Sequence, residues 1–205
     1  MRNMNKAEMI TEIEKLGSDN LPRFGGAYCG GIRLQQSSSE LADFILFLKK
    51  HRPGELDYLE IGSASGGLTY TLNRFLKFKN IILIDDDQHP RHKLLKDTLG
   101  EIDYVKWTGD SQSAQAADFI KSLDLKFDII FIDADHSYEG IKNDTSNFLP
   151  FLKDTGLLVF HDIEQPGVKK WLNEAQENYG IANIINFVNS KYTLGIGVYQ
   201  GRIHV

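Results

Sequence analysis

The stretch Tyr58-Leu-Glu-Ile-Gly-Ser-Ala-Ser-Gly-Gly67 decides the fold. Leu59 and Ile61 make an apolar strand that carries one acid, Glu60. The strand ends in a loop of small residues, Gly62 to Gly67, and a helical pattern begins at Leu68. Small residues after a strand let a ligand approach the backbone, and the free N–H groups of the next helix bind polar or anionic groups. In a parallel sheet this turn lies at the carboxyl end of the strand, where α/β proteins bind ligands. The spacing is Gly62-x-x-x-Gly66-Gly67, which is not the G-x-G-x-x-G dinucleotide fingerprint, and no Lys-Ser/Thr follows as in a P-loop. On this segment alone, a nucleotide-like pocket and an ordinary tight strand-to-helix turn are both open.

Working outward, the chain alternates. Strand 57–62 leads to a helix near 67–78, and strand 80–85 to a helix near 90–99. Strand 102–107 runs into Gly109-Asp110-Ser111 and a helix to about 123; strand 127–132 leads to a helix near 138–152. Strand 156–161 leads to a helix near 166–178, and two strands follow around 182–188 and 192–199. Short, nearly continuous apolar strands between amphipathic helices predict a mostly parallel, doubly wound α/β sheet covered on both faces. The last two strands are too close in sequence for a parallel crossover, so they predict an antiparallel hairpin. Upstream, residues 4–16 read as a short amphipathic helix ending at Gly17, and 18–38 as an irregular arm or functional flap. Ser37-Ser-Ser-Glu40 reads as a capping box opening a helix that places Leu41, Phe44, Ile45 and Leu48 on one face. The expected organisation is therefore an N-terminal helix and arm (1–38) followed by the main domain (39–205).

Composition narrows the function classes. The chain has 205 residues, with 23 Lys and Arg against 28 Asp and Glu, a net charge of −5. That balance argues against non-specific nucleic-acid binding and against anionic membrane surfaces. No apolar run approaches the ~20 residues that span a bilayer, and the N-terminus lacks a signal-peptide core. The single cysteine, Cys29, cannot form an internal disulfide and reads as a small hydrophobe, in keeping with a cytoplasmic protein.

Polar groups fall at strand ends. Strand two ends in Asp85-Asp86-Asp87, strand three runs into Asp110, strand four ends in Asp133-Ala-Asp135-His136, and strand five ends in His161-Asp162. In a parallel sheet these ends converge on one rim. A carboxylate after strand two suits a ribose diol, and one after strand three suits an adenine amino group. A single Asp in such a place is often only a helix cap. Four successive strand ends favour a site. Asp133, His161 and Asp162 form an oxygen-rich set that suits a divalent ion such as Mg or Mn; the imidazole tilts the choice away from Mg. His136 is a candidate general base. His89 and His92 read as surface.

These residues carry a likeness. Leu59-Glu-Ile-Gly-Ser-Ala-Ser-Gly-Gly67 resembles the first motif of class I S-adenosylmethionine-dependent methyltransferases. Phe127-Asp-Ile-Ile-Phe-Ile-Asp-Ala-Asp-His-Ser-Tyr-Glu-Gly140, with Gly156-Leu-Leu-Val-Phe-His-Asp162, resembles the small-molecule O-methyltransferase-like branch. The second run is the more specific, and the likeness spans about residues 35–200. It implies a seven-stranded Rossmann-like sheet of order 3-2-1-4-5-7-6, with strand 7 antiparallel. It also implies that Glu60 and Gly62, with Ser63, Ala64, Ser65 and Gly67, hold the methionine end of S-adenosyl-L-methionine. Asp85 and Asp86 fall on the ribose, and Asp110 and Ser111 on the adenine side. Asp133 borders the cofactor and is the first metal carboxylate. His136 falls where metal-dependent members place a lysine base, and His161-Asp162 where they place an Asp-Asn or Asp-Asp pair. Both are departures: one changes the base, the other the metal.

The implied activity is methyl transfer to a hydroxyl of a small molecule (sugar, catechol-like or natural product), with Asp133 and His136 catalytic. Gln35, Gln36 and the arm would close over the acceptor, and Tyr138 and Trp107 are candidate pocket walls. A non-catalytic binding module on the same fold and a nicotinamide-dependent oxidoreductase are the rival readings. The expected partner is a small-molecule acceptor, neither nucleic acid nor membrane. Self-association into a homo-oligomer is compatible with the apolar residues near Phe187 and Val198.

Overall fold

A computed structural model of the chain describes residues 4–17, 31–189 and 193–201. Seven strands form one sheet in the order β3-β2-β1-β4-β5-β7-β6. They are β1 (Glu55–Ile61), β2 (Lys77–Asp85), β3 (Val105–Thr108), β4 (Phe127–Ile132), β5 (Leu152–His161), β6 (Ile181–Phe187) and β7 (Ile196–Gly201). β1 to β5 are parallel, while β7 runs antiparallel between β5 and β6. The sheet and the hairpin inferred from sequence are both present. The hairpin's connection is longer than expected, because β6 ends at Phe187 and β7 starts only at Ile196. Phe187 and Val198 are core.

Helices α1 (Lys6–Leu16), α2 (Ser38–His51), α3 (Gly67–Phe75) and α4 (Leu95–Leu99) cover one face. Helices α5 (Ala114–Ser122), α6 (Tyr138–Phe148) and α7 (Pro166–Asn178) cover the other. The side-chain period of a strand deals its apolar residues alternately to the two layers. Ile129 and Phe131 enter the first with Met9, Ile13 and Phe44; Ile130 and Ile132 enter the second with Phe148 and Trp171. Met9 and Ile13 are fully buried, which stabilises the seating of α1 by roughly 3–6 kcal/mol as an upper figure.

Three local readings are corrected. The helix expected near 90–99 is a 3₁₀ turn, His92–Leu94, followed by the five-residue α4, and Pro90 precedes it. Strand three starts later, at Val105. The capping box at Ser37 and Glu40 does not form: Ser37 is the N-cap but makes no side-chain cap bond. Glu40 is instead buried and takes hydrogen bonds from the Asn189 N–H (2.9 Å) and the Thr193 hydroxyl, 149 and 153 residues away. The reciprocal box appears on α1, between Asn5 and Glu8.

The chain winds outward in opposite directions from β1 and β4, so their carboxyl ends part at a topological switch point. Open α/β sheets bind ligands in that crevice.

Candidate active site

The glycine turn is shaped by contact with the end of β4. Gly62 has φ +87°, and a Cβ there would lie 2.2 Å from the Asp133 carbonyl oxygen. Gly66 (φ +76°) is the N-cap of α3. Ala64 holds a left-handed φ of +43°, and Asp162, at the end of β5, one of +53°. Non-glycine residues in this region cost about 1–2 kcal/mol each, and such strain gathers at ligand sites.

A cleft of about 600 Å³ opens above the switch point. It is lined by Gly62, Ala64, Asp85, Asp86, Asp110, Ser111, Asp133, Asp135, His136 and His161, all singled out from the sequence. Its described lining holds five carboxylates and no Lys or Arg, a field that suits a cationic ligand and repels a pyrophosphate. Ser63, Ser65, Gly67 and Glu60 line an adjoining recess that shares Gln35, Gly62, Ala64 and Asp133 with the cleft. A second recess, with Gln35 and His161 in common, is lined by Ser37, Glu40, Asp162, Thr193 and Leu194. A wider depression of about 950 Å³ lies by α3, α4 and the start of β2, and none of the candidate residues line it.

Each wall has a defined chemistry. Asp85 accepts from the Ala64 and Asp87 N–H groups at 2.8 Å, so it braces the glycine turn. A carboxylate offers about four acceptor positions, which leaves some for a diol. Glu60 is 2% exposed and accepts from the Tyr58 hydroxyl (2.9 Å) and the Thr69 hydroxyl. Burial outweighs those bonds, and nearby Asp133 and Asp85 add to it, pushing its carboxyl up to about 8. Such an acid ionises readily when a ligand cation arrives. Asp110 and Asp135 do local work as well: they accept from the Gln112 (2.9 Å) and Ser137 (2.8 Å) N–H groups in turns that start α5 and α6.

At the far end four groups meet. Asp133 Oδ1 lies 3.0 Å from His161 Nδ1 and 3.3 Å from His136 Nε2. Asp162 stands 3.2 Å from His161 Nδ1 and 3.4 Å from His136 Nε2. Gln36 donates to the other oxygen of Asp133 at 3.0 Å. Burial alone would raise the Asp133 carboxyl, but the two imidazoles hold it well below the usual carboxylate range. His161 is lowered by burial and raised more strongly by Asp133, Asp162 and Glu40, to about 9. His136 is raised chiefly by its bond to Asp133. Donor atoms of Asp133, His136 and His161 lie within 4.8 Å of one another. Asp162, expected as a metal ligand, is outside that trio and faces both rings instead. Spacings of 3.0–3.3 Å serve a hydrogen bond and neighbouring coordination positions equally.

Some expectations are redirected. Tyr138 donates its hydroxyl to Glu174 and packs T-shaped with Trp171, and Trp107 stacks on Phe119; neither lines the cleft. His89, read as surface, does line it, as does Gln112. Nothing in their local sequence marks either. Cys29 and residues 18–30 of the arm lie outside the described residues. Among the described residues no helix is long and apolar enough to cross a membrane.

Residues 59–163 match a family described as a methyltransferase domain, just over half of the chain. An uncharacterized protein of Acanthamoeba polyphaga mimivirus, R132, is 26% identical over 118 residues, covering 54% of this chain; the chain spans about half (52%) of that protein. The O-methyltransferase from Bacillus cereus in complex with SAH superposes with a TM-score of 0.60 at 15% identity, covering 98% of this chain and 93% of that one. MycE from the mycinamycin biosynthetic pathway, in complex with Mg and SAH, gives 0.61 at 17% identity, with 98% and 55% covered. A ribosomal protein L11 methylase from Lactobacillus delbrueckii gives 0.58 at 16%, with 85% and 86% covered. At these identities the superpositions show the fold, and they span proteins named for different acceptors.

Proposed function

The chain belongs to the methyltransferase-domain family and has the class I S-adenosylmethionine-dependent fold, and from that premise we propose that it methylates a hydroxyl group of a small molecule. The observation that carries this reading is the His136–Asp133–His161–Asp162 cluster at the carboxyl ends of β4 and β5, beside the glycine turn. The turn and the acids would bind the cofactor: Glu60 toward the methionine ammonium, Asp85 and Asp86 toward the ribose, Asp110 and Ser111 toward the adenine. When bound, S-adenosylmethionine supplies a sulfonium methyl that leaves as its S–C bond breaks and the acceptor's O–C bond forms. The lining, rich in carboxylates, favours that cation over the pyrophosphate of a nicotinamide cofactor.

The chain's own residues supply positioning and proton removal. Asp133 and Asp162 engage His136 Nε2, fixing the ring and leaving Nδ1 to take the hydroxyl proton. Gln36 and His161 hold Asp133 in place. The acceptor enters beside the recess of Gln35, Ser37, Glu40 and Thr193.

A metal-assisted form of the same reaction is favoured by one observation, the convergence of Asp133, His136 and His161 donors. Two imidazoles and a carboxylate suit Mn²⁺, Fe²⁺ or Zn²⁺ better than Mg²⁺. Such an ion would lower the pKa of an acceptor hydroxyl, and His136 would then be a ligand rather than the base.

The test is methyl transfer from labelled S-adenosylmethionine to a panel of sugars, catechols and hydroxylated natural products, with RNA and a protein extract alongside, and with chelator or added Mn²⁺. Label on a small hydroxylated compound supports the reading; label confined to RNA or protein overturns it. Stimulation by Mn²⁺ and loss on chelation select the metal-assisted form. A His136→Ala variant that still binds cofactor and turns over normally removes His136 from either role.

A further inference from the structure

Asp144 lies on α6, where a helix-interior acid ordinarily faces water, yet it is 0% exposed. Its Oδ1 accepts a 2.7 Å hydrogen bond from the Ser111 hydroxyl. Its Oδ2 is buried without a hydrogen-bond partner. Burying an under-satisfied carboxyl is costly, so its placement behind a cleft-lining residue calls for a reason. The same helix ties down the loop in front of it: Asn147 donates to the Ser111 carbonyl (3.0 Å) and Asn143 to the Gln112 side chain (3.2 Å).

A serine hydroxyl has one proton to give. With that proton committed to Asp144, Ser111 can show the cleft only its acceptor lone pairs. Beside it, the Asp110 carboxylate is also an acceptor. We infer that Asp144, acting through Ser111, sets the hydrogen-bond polarity of this end of the cleft, so that it takes a 6-amino purine and rejects a 6-oxo purine. The inference rests on the cofactor reading above and adds a positioning residue that reading does not contain. A 6-amino group brings two donors to Asp110 and Ser111; a 6-oxo group would set an acceptor against acceptors. Sites built on such matching discriminate strongly, because the mismatched ligand leaves buried polar groups unpaired. In an Asp144→Asn variant the amide can turn its N–H₂ toward Ser111, which frees the serine proton to face the cleft.

The experiment is calorimetric titration of the full chain with S-adenosylhomocysteine and with S-inosylhomocysteine. It is run at pH 8.5, where the Asp144 carboxyl, raised by burial and by Asp135 and Asp110 to about 7, is ionised. The two ligands share ribose and amino-acid parts, so the ratio of their affinities isolates the purine edge. Wild type is expected to prefer the adenosyl ligand at least a hundredfold. Asp144→Asn should cut that preference at least tenfold, partly by gaining affinity for the inosyl ligand. Ser111→Ala, a smaller change at a partly exposed site, should cut it similarly. A purely structural role for Asp144 would weaken both ligands together and leave the ratio unchanged. An unchanged ratio in both variants overturns this inference alone. Absence of any S-adenosylhomocysteine binding by wild type overturns the cofactor reading and this inference with it.

Discussion

The two ends of the sheet both carry acids, and they dispose of them differently. At the amino ends of β1, β4 and β5, Lys153 stands 2.8 Å from Asp57 and 2.7 Å from Asp128. Asn80 donates to Asp57 at 2.7 Å, and the Asp57 N–H donates to Asp128 at 2.8 Å. A fixed ammonium answers both carboxylates, so that end is closed on itself. At the carboxyl ends, Asp133 and Asp162 meet two imidazoles, whose charge depends on pH and on what else binds, and the group opens on a cleft. Acids answered by a permanent cation hold strands together. Acids answered by a titratable partner at a switch point are available to a ligand.

Breaking the two ends separately should give different losses. The largest is expected at the carboxyl end: His136→Ala should lower turnover of any accepted hydroxyl substrate by about 10²–10⁴-fold, the usual contribution of a general base. Cofactor affinity, measured by titration, should stay within about threefold if His136 acts on the acceptor as proposed. Next comes Gly62→Ala. Its Cβ would meet the Asp133 carbonyl at 2.2 Å in a left-handed backbone, so about 3 kcal/mol or more of stability should be lost in chemical denaturation, with cofactor binding.

Asp144 sharpens the comparison through pH. Its folded carboxyl titrates near 7, above the usual range, so the folded state holds a proton the unfolded state has already lost between about pH 4 and 7. Its contribution to stability is therefore present at acid pH and lost as pH rises through 7, on the order of a few kcal/mol. Asp144→Asn should accordingly be more stable than wild type at pH 8, and the advantage should vanish near pH 4, read by urea midpoints at the two values. The smallest effect belongs to the closed end. Lys153 is 35% exposed, so Lys153→Met should cost about 1–2 kcal/mol and leave cofactor affinity unchanged. A loss of binding in that variant would mean the amino end is not an inert frame.

Much of this was legible because strand and rim announce themselves locally. Runs such as Ile81-Ile-Leu-Ile-Asp85 and Phe127-Asp-Ile-Ile-Phe-Ile-Asp133 give both the buried strand and the acid at its end. The parallel sheet then brings those acids together without any distant information. What the sequence hid was tertiary. Glu40 looked like the second half of a capping box but is drawn to Asn189 and Thr193 across the molecule. Gln36 reaches Asp133, 97 residues on. His89 enters the cleft from the loop between β2 and the 3₁₀ turn, on the rim that Asp85 and Asp86 also line. Asp144 shares the inward face of its helix with Ile141, Thr145 and Phe148, but its charge reads as a surface residue, and only the packing shows that it is buried behind Ser111. The site's outline is thus written in strand ends, and its partners in contacts between segments far apart in the chain.

The most direct test is a titration of the wild-type chain with S-adenosylhomocysteine, with and without Mn²⁺. Saturable one-to-one binding, lost in Gly62→Ala and kept in Lys153→Met, is the result expected if the switch-point cleft holds the cofactor. No binding under any metal condition would contradict it and return the glycine loop to an ordinary strand-to-helix turn.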